Sequence, residues 1–174
     1  MNSADVLHKI LIVAVTALLA IAGSCDERKP QPGMGMPCPR STLTELGGST
    51  MTLPDDFKGK VLVVRFWSDC CSYNINEMEG LGSLHDKYAG RGLSVITVYS
   101  GATKAAARQF REELKISYPV LLDTDSTVAR QCGVSKLPTT LIIDKGGIIR
   151  GKIIGESEKK AWTESYEKLV SGLL

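Results

Sequence analysis

The chain lacks several things, and each absence removes a class of function. It has two histidines, His8 and His85, so imidazoles cannot supply a metal centre, and no metal or other cofactor is expected. Lysine and arginine total 21 against 19 aspartates and glutamates, a formal charge of +2. No basic run stands out, so the electrostatic footprint of a nucleic-acid binder is missing. There is no internal repeat. The apolar run Ile10–Ala22 is too short for the hydrocarbon core of a bilayer, which needs about 20 residues. The last absence is the most informative. An apolar strand pattern, Val61–Trp67, leads to Cys70-Cys71 and then at once to helical spacing, with Met78, Leu81, Leu84 and Tyr88. A thiol at a strand-to-helix junction sits at the helix's positive end, which favours the thiolate. Three positions after Cys71, where a resolving cysteine would complete a dithiol, stands Asn74.

What is present begins with an export signal. His8 and Lys9 precede the apolar run, which ends in Ala22-Gly23-Ser24-Cys25. A cleaved signal peptide over 1–24 fits this pattern. Small residues directly before a cysteine look like a bacterial lipobox, with Ala22 where Leu is commonest. Cys25 then becomes the lipidated first residue of the mature chain, and two or more acyl chains anchor it stably. The competing reading is an ordinary signal peptide with an incidental cysteine. Residues 25–37, rich in Pro and Gly, read as a flexible tether. The remaining 38–174, about 135 residues, form one domain's worth of chain.

That domain alternates strand and helix patterns. Val61–Trp67 is apolar except for Arg65, as a strand buried on both faces should be. Leu93–Tyr99 follows as a strand, Thr103–Leu114 as a helix, Tyr118–Leu122 as a strand and Ser126–Cys132 as a short helix capped by Gly133. Thr139–Asp144 and Ile148–Ile154 form a hairpin across Lys145-Gly146-Gly147. Glu158–Leu173 closes the chain as a helix with Trp162, Tyr166, Leu169, Val170 and Leu173 on one face. Thr42–Leu46 and Thr50–Leu53 flank Gly47-Gly48 as an N-terminal hairpin. The expected class is α/β, a mixed sheet covered on both faces.

The motifs now carry a resemblance over roughly residues 36–173. They are Phe57-Lys58-Gly59-Lys60-Val61, Phe66-Trp67, Glu77-Met78, Tyr118-Pro119-Val120-Leu121-Leu122-Asp123 and Gly133-Val134-Ser135-Lys136-Leu137-Pro138-Thr139-Thr140. The chain resembles the thioredoxin-like, membrane-tethered TlpA/ResA type of thiol-disulfide oxidoreductase, a redoxin family of envelope disulfide chemistry and cytochrome c maturation. The resemblance implies a thioredoxin fold, a mixed central sheet flanked by helices with an N-terminal β-hairpin extension. It implies a cis Pro138 whose loop, with Leu137 and Trp67, receives an extended substrate. It registers the family's Trp-Cys-x-x-Cys on Cys70-Cys71-Ser72-Tyr73-Asn74. Cys71 then becomes the attacking cysteine, Asn74 replaces the resolving one, and Cys70 replaces the tryptophan. Glu77 matches a carboxylate near the thiols and, if partly buried, would shuttle a proton to or from Cys71.

Three uses of this site stay open. Cys71 works as a monothiol whose mixed disulfides are resolved by an external thiol; or Cys70 resolves Cys71 through a small strained ring; or the site is retired and the domain binds proteins. A thiol peroxidase is a further rival, since Ser68-x-x-Cys71 resembles part of a peroxiredoxin site. Val64 stands in place of its proline, Arg65 lies on the strand and Arg130 on a distant helix. Copper-carrying relatives use Cys-x-x-x-Cys, and Asn74 replaces the second cysteine of that motif. The expected partners are protein thiols or disulfides in the envelope, an external reductant or resolving thiol, and the membrane through the anchor. The expected location is the bacterial cell envelope, with the domain in the periplasm or extracytoplasmic space. Cys38 and Cys132 are left as a candidate structural bridge or as small buried residues.

Overall fold

In a computed structural model of the chain, residues 31–69, 75–155 and 159–174 are described. The expected signal peptide, the lipidation site Cys25, and the site residues Cys70, Cys71 and Asn74 lie outside them. Strand β1 (Ser41–Glu45) pairs antiparallel with β2 (Thr50–Leu53) as the expected N-terminal hairpin. Strand β3 (Val61–Trp67), helix α1 (Ile75–Tyr88), β4 (Leu93–Tyr99), α2 (Lys104–Glu113) and β5 (Val120–Leu122) follow. Then come α3 (Thr127–Gln131), β6 (Thr139–Ile143), β7 (Ile149–Ile154) and α4 (Lys159–Leu173).

The seven strands form one mixed sheet in the order β2-β1-β5-β4-β3-β6-β7. β3, β4 and β5 run parallel, and every other pairing is antiparallel. β3 lies between β4 and β6, so both its edges are paired and both its faces are covered. This is why seven consecutive residues are buried there. Strand side chains alternate between faces, and the alternation divides the core. Val61, Val63 and Trp67 face Met78, Leu81, Leu84 and Tyr88 of α1 and Tyr166 and Val170 of α4. Leu62, Val64 and Phe66 face Val128 and Ala129 of α3, with Cys38 and Cys132. Burying each such side chain fully contributes roughly 1.5–3 kcal/mol.

Local chemistry fixes the helix ends. Thr103 is the N-cap of α2, its Oγ1 accepting from the Ala106 N–H at 3.1 Å. Helix α3, too short to hold itself, is capped by the buried Asp123, which accepts from the N–H groups of Val128 (3.1 Å) and Ala129 (2.8 Å). Gly133 follows α3 at φ +68°, as its place after a helix end requires. Gly151 lets α4 approach β7, since a Cβ there would lie 2.6 Å from Leu169 Cδ2.

The structure differs from the sequence reading at the entrance to the domain. Residues 33–37 read by composition as the end of a flexible tether, with the domain starting at Cys38. Residues 33–38 are hydrogen-bonded along the β6–β7 hairpin: Gly35 N–H to Ile149 O at 2.8 Å, Ile149 N–H to Met36 O at 3.0 Å, Cys38 N–H to Gly147 O at 2.8 Å. Proline and glycine allow this turn-rich strap, with Gly35 at φ +80°. Local composition does not reveal the unpaired sheet edge that receives it.

Candidate functional site

The site is assembled at the carboxyl end of β3, where the chain leaves the sheet towards Cys70 and Cys71. Three neighbouring segments frame that exit. β4 runs beside it in register, Trp67 opposite Tyr99, and the Ser100 N–H donates to Trp67 O at 2.8 Å. Gly101 follows, and glycine is required: a Cβ there would meet the Tyr99 hydroxyl and lie 2.7 Å from Asp69 Oδ1. On the other side β6 runs antiparallel, with Phe66 opposite Thr139. That register brings Pro138 to the end of β3. Leu137–Pro138 is cis, as the resemblance implies. Its loop is braced by Thr139 Oγ1 donating to Lys136 O at 2.6 Å and by the Gly155 N–H donating to Pro138 O at 2.8 Å. Leu137 is half-buried and Pro138 buried.

Beneath this end lies a buried polar cluster. Arg65 points to the α1 side of the sheet, between Val63 and Trp67. Its Nη2 pairs with Glu77 Oε2, and its Nη1 donates to Thr140 Oγ1 at 3.1 Å. The two side chains of the pair are 1% and 4% exposed. Tyr118, packed close by, donates its hydroxyl to Met78 O at 3.2 Å. Burial pushes the Tyr118 phenol well above its ordinary range, although the Arg65 charge opposes this. A charge taken out of water needs an opposite charge and hydrogen bonds beside it, and Glu77 and Thr140 supply both to Arg65.

The structure describes two more of the expected site residues. Glu77 is more than partly buried, and its carboxylate is committed to a guanidinium. The pair joins α1 to β3. Trp67, expected to meet substrate, is fully buried, with its ring edge-on to Tyr99 at 5.0 Å and to Phe110 at 5.4 Å between centroids. It secures the end of β3 from below. Arg65 itself was the residue whose role the sequence reading missed. The signal was available: a lone arginine inside a strand buried on both faces requires a carboxylate from a neighbouring element, and Glu77 follows twelve positions later. Among the described residues no group of three or more His, Cys, Asp or Glu side chains is gathered to hold a metal ion.

The family model of AhpC/TSA matches residues 34–152, which include the sheet from β1 to β6 and the cis-Pro138 loop. The chain belongs to the AhpC/TSA family. The thiol-disulfide oxidoreductase ResA of Bacillus thuringiensis subsp. konkukian is 31% identical over 136 residues, covering 78% of each chain. ResA of Bacillus anthracis is 30% identical over 171 residues, covering 92% of this chain and 96% of the relative. Among solved structures, a putative thiol:disulfide interchange protein DsbE from Chlorobium tepidum superposes with a TM-score of 0.77 at 23% identity. It covers 82% of this chain and 99% of that one. A thiol:disulfide interchange protein from Bacteroides sp. gives 0.69 at 25% identity, covering 81% and 92%. The fold is the thioredoxin fold, and the chain is a thioredoxin-like thiol-disulfide oxidoreductase of the ResA kind. No helix among the described residues is long and apolar enough to cross a membrane.

Proposed function

We propose that this protein carries out thiol-disulfide exchange through a single reactive cysteine, Cys71, in the bacterial cell envelope, anchored by lipid on Cys25. The observation that carries the reading is the register at the end of β3. It brings the cis-Pro138 loop to the exit that leads to Cys71, in a chain with Asn74 where a second thiol would stand.

The reaction needs one thiolate and one outside partner. The Cys71 thiolate attacks a sulfur of a substrate protein's disulfide. The S–S bond breaks, one substrate sulfur leaves and takes a proton, and Cys71 is joined to the other. An external thiol, as thiolate, then attacks the substrate sulfur of this mixed disulfide or the Cys71 sulfur. In the first case Cys71 is released; in the second it passes to the new thiol. Asn74 cannot perform this second step. Its amide N–H can donate to the Cys71 sulfur and favour the thiolate. Leu137 and Pro138 line the path of the substrate chain. Glu77, through Arg65, holds the start of α1 against β3 and so positions the residues ahead of it.

The peroxidase alternative has less support, because both candidate arginines are engaged elsewhere. Arg65 is paired with Glu77, and Arg130 donates to Asp125 O at 2.9 Å and to Thr127 Oγ1 at 3.1 Å. The test is capture of partner proteins in mixed disulfides, with Cys71→Ser as control. Adducts that form with the wild type and vanish with Cys71→Ser support exchange. Absence of adducts, with Cys71 inert to an alkylating agent near neutral pH, overturns it in favour of a binding module. Equal loss in Cys70→Ser and Cys71→Ser would show that the two neighbours act as a pair.

A further inference from the structure

Two thiols take no part in the exchange reaction. Cys38 and Cys132 are both free, both buried, and lie in the same apolar cluster on the α3 face of the sheet. That is the face opposite Glu77. Cys38 Sγ donates to Pro39 O at 3.8 Å, and Val128, Ala129 and Val134 pack in the same cluster. The surroundings show two segments brought together there and nowhere else in the sequence. Ser41 Oγ donates to Gln131 Oε1 at 3.2 Å. A Cβ on Gly133 would lie 2.7 Å from Pro32 O, so the strap crosses directly over the residue after Cys132. Lys152 Nζ donates to Gly133 O beside it.

We propose that Cys38 and Cys132 are a second redox pair, which closes to an intramolecular disulfide and pins the strap at 31–38 to the end of α3. The pairing is independent of the chemistry assigned to Cys71. The neighbouring Cys132 thiol lowers the Cys38 thiol although burial opposes this, and the same interaction, with burial, raises Cys132. Either sulfur can attack first, with the same products. When the attack comes from Cys38, its thiolate displaces one thiol from an external disulfide, giving a mixed disulfide on Cys38. Cys132, deprotonated in the step, attacks the Cys38 sulfur and releases the second thiol. Two protein thiols are oxidised and one external disulfide is reduced to two thiols. Because both residues are 6% exposed or less, exchange takes place before or while the strap docks, and the finished bond is shielded from reductant. The bond would close a loop of roughly 95 residues, the length at which a cross-link constrains the unfolded chain strongly.

The test uses the full-length chain, reduced and unfolded, then refolded with a mixture of oxidised and reduced glutathione. Remaining thiols are alkylated in denaturant and the digest is mapped. The expected product is a peptide linking Cys38 to Cys132. Alkylation of both residues, or linkage of either to Cys25, Cys70 or Cys71, overturns the proposal. The linked protein should melt about 10 °C above the same protein after reduction. Cys38→Ser, in which Cys70 and Cys71 remain, should lose that dependence on reductant. A linked protein whose melting temperature does not fall on reduction overturns the pinning.

Discussion

Replacing Glu77 by glutamine tests the buried pair most directly. The substitution keeps the size and an acceptor oxygen but removes the charge that faces Arg65. Exposed ion pairs contribute roughly 0–1 kcal/mol because water and salt screen them. This pair is different: its side chains are 1% and 4% exposed, so screening is small. Breaking a buried pair from one side costs about 3–5 kcal/mol, since the remaining charge keeps its desolvation penalty. At an m-value of roughly 2 kcal/mol per molar in urea, the unfolding midpoint should fall by about 2 M. Arg65→Met should cost a similar amount by stranding the carboxylate. The double variant Arg65→Met/Glu77→Leu removes both charges and fills the space with apolar atoms, so it should lie well above either single variant and near the wild type. The assay is equilibrium urea unfolding of the wild type, Glu77→Gln, Glu77→Leu, Arg65→Met and the double variant, followed by circular dichroism, with the coupling energy taken from the cycle of Arg65→Met and Glu77→Leu. A midpoint for Glu77→Gln within about 0.3 M of wild type would refute the reasoning, as would strictly additive losses in the double variant.

Asn74→Cys should convert the site to a dithiol: a disulfide with Cys71 should form and reductase activity on insulin should rise, while Cys71→Ser abolishes both. If the added thiol stays free under oxidising conditions, the alignment of Asn74 with a resolving cysteine is wrong. Gly151→Ala places a methyl group 2.6 Å from Leu169 Cδ2 and 3.3 Å from Ile142 Cβ, and overpacking of this kind costs about 1–3 kcal/mol, read as a lower thermal midpoint. Asp144 is raised by partial burial, but the Ile148 N–H, Arg150 and the Gly146 N–H outweigh this and leave its carboxyl below the usual carboxylate range. Its contribution to stability is therefore complete above the unfolded carboxylate's ordinary value and is lost as pH falls through the lower folded one; Asp144→Asn should flatten that part of the acid-unfolding curve. Mass spectrometry of the mature N-terminus should find Cys25 lipidated and 1–24 absent, and an unmodified Cys25 would remove the anchor.

The sequence by itself determined the elements, because each has a local cause. Alternation and continuous apolar runs marked the strands, helical spacing marked α1 and α4, and Gly133 ended α3 at the position expected. It also determined the family, through motifs around Trp67 and Pro138 that stay legible at any distance in space. The departure at Asn74 was equally plain, since it is a matter of spacing along the chain. Tertiary structure decided what depends on which residues meet across the sheet. A lone arginine in a buried strand signals a carboxylate partner, but only the packing of β3 against α1 decided that the partner of Arg65 is Glu77. That contact made Glu77 half of a buried ion pair. Trp67 was placed on the inner face by the parity of the strand, which register alone fixes. The strap at 31–37 read as tether because its composition is that of a loop, and the edge of the β6–β7 hairpin gave its backbone groups partners. Cys38 and Cys132 became a pair for the same reason. The fold brought these two buried residues, distant in the sequence, into one apolar cluster.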